Sequence, residues 1–232
     1  MTAIVPSAGR SKRMKTSMEK PFLLLNRKPI LAHTLLSLER SPLVQEIILL
    51  VRRSRLALAK RLVGAFGLRK VKGIYAGGET RFESVWRGLQ KVSSESDYVL
   101  IHDGVRPLLS EALIRRVLRG ARRHGAAVPV VPVNPTVKRG RGRFVRETLI
   151  RKELWEVQTP QAFRTALILK GYQKAKKARE APPDCAATVE RLGKRVYLVA
   201  GDPKNIKITT REEWALAMTL LKGGRLTPCA WE

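Results

Sequence analysis

The chain is predicted to be an α/β protein: a mainly parallel, doubly wound (Rossmann-like) sheet with a small projecting β-arm. Three observations predict it. Short apolar runs alternate with helically patterned stretches along all 232 residues, the order that builds a parallel sheet covered by helices on both faces. Hydrophobic residues make up 44 % of the chain, enough for a packed core and too many for disorder. The alternation falters only between about Asn134 and Glu153, where polar, glycine-containing sequence reads as a hairpin.

Each element follows from its local pattern. Residues 3–5, 46–51, 71–75, 98–101, 126–131 and 196–199 are apolar runs of strand length. Residues 30–39, 56–66, 80–91, 110–124, 164–178 and 211–221 repeat apolar side chains at helical spacing. In 110–124, Leu113, Ile114, Val117, Leu118 and Ala121 form one face, and Arg115, Arg116, Arg119, Arg122 and Arg123 fill the other. Ser110 stands where an N-cap belongs. Residues 1–232 read as a single domain, with 134–150 as an inserted arm.

The charge is extreme: 46 Lys and Arg against 19 Asp and Glu give a formal net +27. Clustered cations serve nucleic-acid binding. Here they line the wet face of a helix, follow a strand as Arg52, Arg53 and Arg55, or crowd a loop tip between Lys138 and Arg143. With 4 Trp, 4 Tyr and 5 Phe and no nucleic-acid-binding signature, a basic nucleic-acid-binding protein is the lesser alternative. No run approaches the roughly 18 apolar residues of a membrane span, and the first residues lack the order of a signal peptide. Cys185 and Cys229 are too few and too far apart for a disulfide scaffold or a cysteine metal site. A cytoplasmic protein with reduced thiols is expected, with no membrane partner.

Ligands of such sheets sit at the carboxyl ends of the strands. After the first strand come Pro6-Ser7-Ala8-Gly9 and then Arg10, Lys12, Arg13 and Lys20. Small residues let backbone N–H groups approach an anion and the cations can neutralise it, so a triphosphate suits the loop; a tight strand exit with solvated charges is the bland alternative. It is neither a Walker A loop nor a dinucleotide fingerprint. His102-Asp103-Gly104-Val105-Arg106 puts a carboxylate at a strand end, either a ligand for Mg²⁺ or a partner of Arg106. Gly77-Gly78-Glu79 precedes a helix that carries Ser84 one turn in, an arrangement suited to a nucleoside.

In this order the loops resemble the 2-C-methyl-D-erythritol 4-phosphate cytidylyltransferase family, of the nucleotidyltransferase α/β fold. The resemblance rests on PSAGRSKRM (6–14) with Lys20 following, GGETRFESV (77–85), HDGVRP (102–107), VPVNPTVK (131–138), LWEVQTPQAF (154–163) and GDPKNIKIT (201–209). It implies a Mg²⁺-dependent transfer of CMP from CTP to a polyol phosphate with release of pyrophosphate. The resemblance maps the cations at the α-phosphate to Arg13 and Lys20, and the residues positioning the attacking phosphate to Arg151 and Lys207. Nucleotide contacts map to Ser7, Ala8, Gly9, Gly78, Glu79, Ser84 and Gly104. Polyol phosphate contacts map to Arg106, Thr136, Arg151, Thr159 and Lys207, and the metal ligand to Asp103. The same resemblance implies a homodimer in which the arm from Asn134 completes the partner's pocket.

The chain departs from the family's usual pattern at Ser11 (a glycine), Glu19 (the proline before the lysine), Pro21 (a glutamine), Pro135 (an aspartate) and Pro183 (a threonine). The nearest enzyme alternative is a ribitol 5-phosphate cytidylyltransferase, which shares fold and nucleotide site.

Overall fold

The computed structural model describes residues 1–9 and 19–222. Strand β1 (Thr2–Pro6) is followed by a 3-10 turn at Lys20–Phe22 and a ribbon of β2 (Leu24–Leu25) and β3 (Lys28–Pro29). Helices and strands then alternate: α1 (Ile30–Arg40), β4 (Glu46–Val51), α2 (Leu56–Ala65), β5 (Val71–Ala76), α3 (Arg81–Leu89) and β6 (Tyr98–Ile101). Next come α4 (Glu111–His124), β7 (Ala126–Pro132), a hairpin of β8 (Lys138–Arg141) and β9 (Phe144–Thr148), β10 (Trp155–Val157) and β11 (Gln161–Arg164). The last described elements are α5 (Thr165–Lys177), α6 (Ala186–Glu190), β12 (Tyr197–Ala200) and α7 (Arg211–Leu221).

Among the described residues the main sheet has 8 strands. β5, β4, β1 and β6 lie side by side in parallel, and β12 is parallel to β7. β11 fills the slot between β6 and β7, antiparallel to both, and β10 runs antiparallel to β7. The mainly parallel sheet is as expected. β10 and β11 are additions that periodicity missed, because Gln161-Ala162-Phe163-Arg164 offers too short an apolar pattern to read. Its conformation is set by two buried strand edges whose N–H and C=O groups need partners.

Alternation along the strands sorts the core into two layers. Ala3, Val5, Ile47, Leu49 and Leu100 face α1, α2 and α4, whereas Ile4, Ile48, Leu50, Val99 and Ile101 face α3, α5 and α6. Gly88 lets α3 lie flat on the sheet, since a Cβ there would stand 2.6 Å from Ile4 Cγ2. α4 matches its pattern: Ser110 Oγ accepts from Leu113 N at 3.3 Å, Gly125 ends the helix at φ 85°, and Arg115, Arg119, Arg122 and Arg123 face solvent. The hairpin of β8 and β9 forms a separate sheet of its own. All of its strand residues are exposed, Phe144 to 82 %. Among the described residues no helix is long and apolar enough to cross a membrane.

Candidate active site

The exits of β1 and β6 are stitched together by the backbone. His102 N donates to Ile4 O at 3.0 Å, Gly104 N to Pro6 O at 3.4 Å, and Ser7 N to Leu50 O at 2.7 Å. This brings the first loop against the aspartate loop with no room between them. A Cβ on Gly104 would fall 2.0 Å from Ser7 Oγ, and one on Gly77 would fall 2.5 Å from Ala8 Cβ. The glycines are therefore required by close approach.

A cavity of about 210 Å³ opens at this junction. Ser7, Ala8 and Gly9 line it after β1, Arg81 and Ser84 from α3, and Asp103 after β6. Lys20, Lys207, Ile208 and Thr209 also line it. Lys20 Nζ donates to Thr209 O at 2.8 Å. Ser7 Oγ is buried against Gly104 and has no partner within the described residues.

Asp103 organises the charges. Its Oδ1 accepts from Arg81 Nε at 2.9 Å and its Oδ2 from Lys207 Nζ at 2.7 Å. Burial opposes ionisation of the carboxyl, but Arg81 and Lys207 outweigh it and hold the group far below the usual carboxylate range. Behind it, Thr159 Oγ1 accepts from Asp103 N at 3.1 Å and lies 3.1 Å from His102 Nδ1. His102 is buried, and burial pushes its pKa down to about 4, so the ring is neutral. Arg106 is buried behind the same wall and donates from Nη1 to Asn205 O at 2.7 Å.

Of the residues expected from the sequence, Ser7, Ala8, Gly9, Lys20, Ser84, Asp103 and Lys207 line this one cavity. Gly104 packs directly beneath Ser7, and Gly78 and Glu79 line an adjoining depression that shares Ala8. Gly78 N donates to Ser84 Oγ at 3.0 Å, tying the two together. Thr159 and Arg106 sit behind the wall rather than on it. Thr136 is exposed on the arm and Arg151 is exposed just after it, where its Nη1 donates to Asn134 O at 2.9 Å. Arg13 and Ser11 lie outside the described residues, as does Cys229.

Two features escaped the sequence. Arg81 pairs with Asp103 across 22 residues of chain and also donates to Cys185 Sγ at 3.3 Å. Its place inside GGETRFESV was the available signal. Arg52 and Arg55, expected as solvated charges, instead both donate to Glu19 Oε1.

Among the described residues no three His, Cys, Asp or Glu side chains gather as a metal site. Asp103 is the one acid on the described cavity wall. A single ionised carboxylate fits a hard cation that keeps waters and takes its other oxygens from phosphates, as Mg²⁺ does. It does not fit zinc, for which His102 would have to leave its bonds to Thr159 and Arg106.

Comparison with known proteins places the chain in a family and matches its fold. Residues 1–223 match the family model described as 2-C-methyl-D-erythritol 4-phosphate cytidylyltransferase. Proteins of that name from Geobacillus kaustophilus and Syntrophus aciditrophicus are both 42 % identical, over 219 residues (94 % of this chain, 96 % of the relative) and 224 residues (96 % of each). The crystal structure of the Anaerococcus prevotii 4-diphosphocytidyl-2C-methyl-D-erythritol synthase superposes with a TM-score of 0.84 at 28 % identity, covering 95 % of this chain and 97 % of that one. The Thermus thermophilus cytidylyltransferase superposes at 0.77 with 31 % identity, covering 95 % and 98 %.

Proposed function

The chain belongs to the 2-C-methyl-D-erythritol 4-phosphate cytidylyltransferase family, and from that premise we propose that the cavity between Ser7 and Lys207 is where CTP and the polyol phosphate meet. The enzyme transfers CMP from CTP to 2-C-methyl-D-erythritol 4-phosphate, releasing pyrophosphate and forming 4-diphosphocytidyl-2-C-methyl-D-erythritol for isoprenoid precursor synthesis. The observation carrying the site assignment is the convergence of a small-residue loop, Lys20, Asp103 and Lys207 on one cavity.

The chemistry asks little of a base. A phosphate nucleophile is already anionic, so the obstacle is bringing two anions together in line, and catalysis can come from alignment and charge neutralisation. Ser7, Ala8 and Gly9 offer a wall without bulk to the nucleotide, and Gly78, Glu79, Ser84 and Gly104 complete its seat. Lys20 and Arg13 stabilise the charge growing at the α-phosphate. Lys207 and Arg151 position the attacking phosphate, with Arg106, Thr136 and Thr159 completing the polyol phosphate site. Asp103 would hold Mg²⁺, which would supply charge neutralisation on the triphosphate.

We propose a homodimer for the same reason that Arg151 and Thr136 lie away from the cavity. The arm extends 134–150 from the single catalytic domain, and it exposes Phe144, Val145 and Ile150. Apolar side chains so exposed on an isolated hairpin call for a covering surface. A second copy, taking the arm over its own pocket, provides one. We further propose that the enzyme is cytoplasmic.

The test is a substrate panel. Purified protein with CTP, Mg²⁺ and 2-C-methyl-D-erythritol 4-phosphate should release pyrophosphate, and ribitol 5-phosphate should replace the acceptor poorly. Equal or faster release with ribitol 5-phosphate would reassign the acceptor.

A further inference from the structure

Glu19 immediately precedes Lys20 and is buried, an uncommon setting for a carboxylate without a role. Its Oε1 accepts from Arg52 Nη1 at 3.2 Å and from Arg55 Nε at 3.1 Å. Arg52 also donates from Nε to the carbonyl of Ala8 at 3.3 Å. One planar guanidinium with fixed donor directions therefore joins the nucleotide-facing loop to the residue beside the lysine. Arg52 follows β4, a strand with neighbours on both sides, so the joint is anchored to the rigid sheet.

We infer that Glu19 is a positioning residue for Lys20, holding the lysine backbone at a set distance from the Ala8 wall through Arg52 and Arg55. The inference rests on the reading that Lys20 acts on the α-phosphate. A lysine side chain is long and flexible, so the place of its ammonium depends on where its backbone is fixed as well as on its bond to Thr209 O. The 3-10 turn fixes it locally, through Phe22 N to Glu19 O at 2.9 Å and Leu23 N to Lys20 O at 3.1 Å. Those bonds move with the turn. Among the described residues, the bonds of the Glu19 carboxylate tie the turn to the end of β4.

The backbone of Glu19 says how this can be separated from charge. Its φ of −71° and ψ of 136° are values that a proline adopts without strain. Its N–H makes no hydrogen bond within the described residues. The family's proline and this chain's ion pair are then two restraints on one backbone, the first by a ring and the second by charge.

The experiment measures kcat and KM for CTP, at saturating polyol phosphate, in the wild type and in Glu19→Gln, Arg55→Gln, the double variant and Glu19→Pro. Glu19→Gln should lower kcat about tenfold while KM for CTP stays within about twofold, the signature of a displaced transition-state group. The double variant should fall no further than Glu19→Gln, because both changes break one linkage. Glu19→Pro should return kcat to within about threefold of wild type. Wild-type kcat in Glu19→Gln, or a loss in Glu19→Pro as deep as in Glu19→Gln, overturns the positioning role. A Lys20→Ala variant that turns over like wild type overturns the underlying reading instead.

Discussion

Asp103 and Lys207, 104 residues apart in sequence, form an ion pair of 2.7 Å in the lining of the nucleotide cavity. Because Arg81 takes the other carboxylate oxygen, the aspartate carries a cation on each side before any substrate arrives. The magnesium proposed for Asp103 would have to share those oxygens with them. Asp103→Asn removes the charge and should raise the Mg²⁺ concentration giving half-maximal rate by about tenfold or more. Rate measured against free Mg²⁺ at saturating CTP checks this, and an unchanged midpoint would remove Asp103 from the metal site.

Lys207→Ala should divide the two substrates. Its ammonium reaches the cavity from the loop after β12, pairs there with Asp103, and is proposed to position the attacking phosphate. KM for the polyol phosphate should rise about tenfold or more, while calorimetric affinity for CTP stays within about threefold. Equal losses for both ligands would place Lys207 on the triphosphate.

Gly104→Ala tests the close packing of the two loops. The new methyl would stand 2.0 Å from Ser7 Oγ and 3.0 Å from Leu31 Cδ1. Such overpacking costs about 1–3 kcal/mol. CTP affinity should fall with thermal stability, and adding Ser7→Ala should recover part of the stability by removing the nearest atom. Differential scanning fluorimetry with and without CTP distinguishes the three proteins.

His102 gives the stability a defined pH dependence. Burial lowers its folded pKa to about 4, against about 6.5 in an unfolded chain. Between those values the unfolded state binds more protons, so stability falls as pH drops from about 6.5 towards 4, by about 3 kcal/mol in all. Asp103, whose folded pKa is depressed, adds a further loss only below about pH 4. In metal-free buffer, the midpoint of thermal unfolding should fall less steeply between pH 6.5 and 4.5 in His102→Gln than in wild type. Parallel slopes would contradict the buried neutral ring.

Much of this was legible in the sequence, and the gaps have physical reasons. β1, β4 and β6 are buried on both faces and so write themselves as continuous apolar runs. β11 is four residues whose pairing is supplied by its neighbours, which no local pattern records. The first loop, Asp103 and Lys207 were visible as ordered motifs. Arg81 was not, because its role depends on a contact with Asp103 made only when α3 docks on the sheet. Glu19 and Arg52 were read as a departure and a solvated charge, 33 residues apart, and only folding turns them into a pair. Thr136 and Arg151 carry no signal of their own on an exposed arm. Their assignment comes from the resemblance and from the proposed exchange between subunits.

That exchange predicts complementation. Lys20→Ala and Arg151→Ala subunits should each be nearly inactive, but mixed after denaturation and refolding they should regain about a quarter of wild-type activity, because half of the dimers would carry one intact site. No recovery would mean that each chain builds its site alone.

The most direct measurement follows phosphorus by NMR during turnover of CTP and 2-C-methyl-D-erythritol 4-phosphate with Mg²⁺, in wild type and Lys20→Ala. The wild type should convert the monoester resonance into a diphosphate diester with an equal amount of pyrophosphate, and Lys20→Ala should do so about a hundredfold more slowly at saturating substrates. Formation of the diester at the same rate in both proteins would contradict the placement of the reacting α-phosphate beside Lys20.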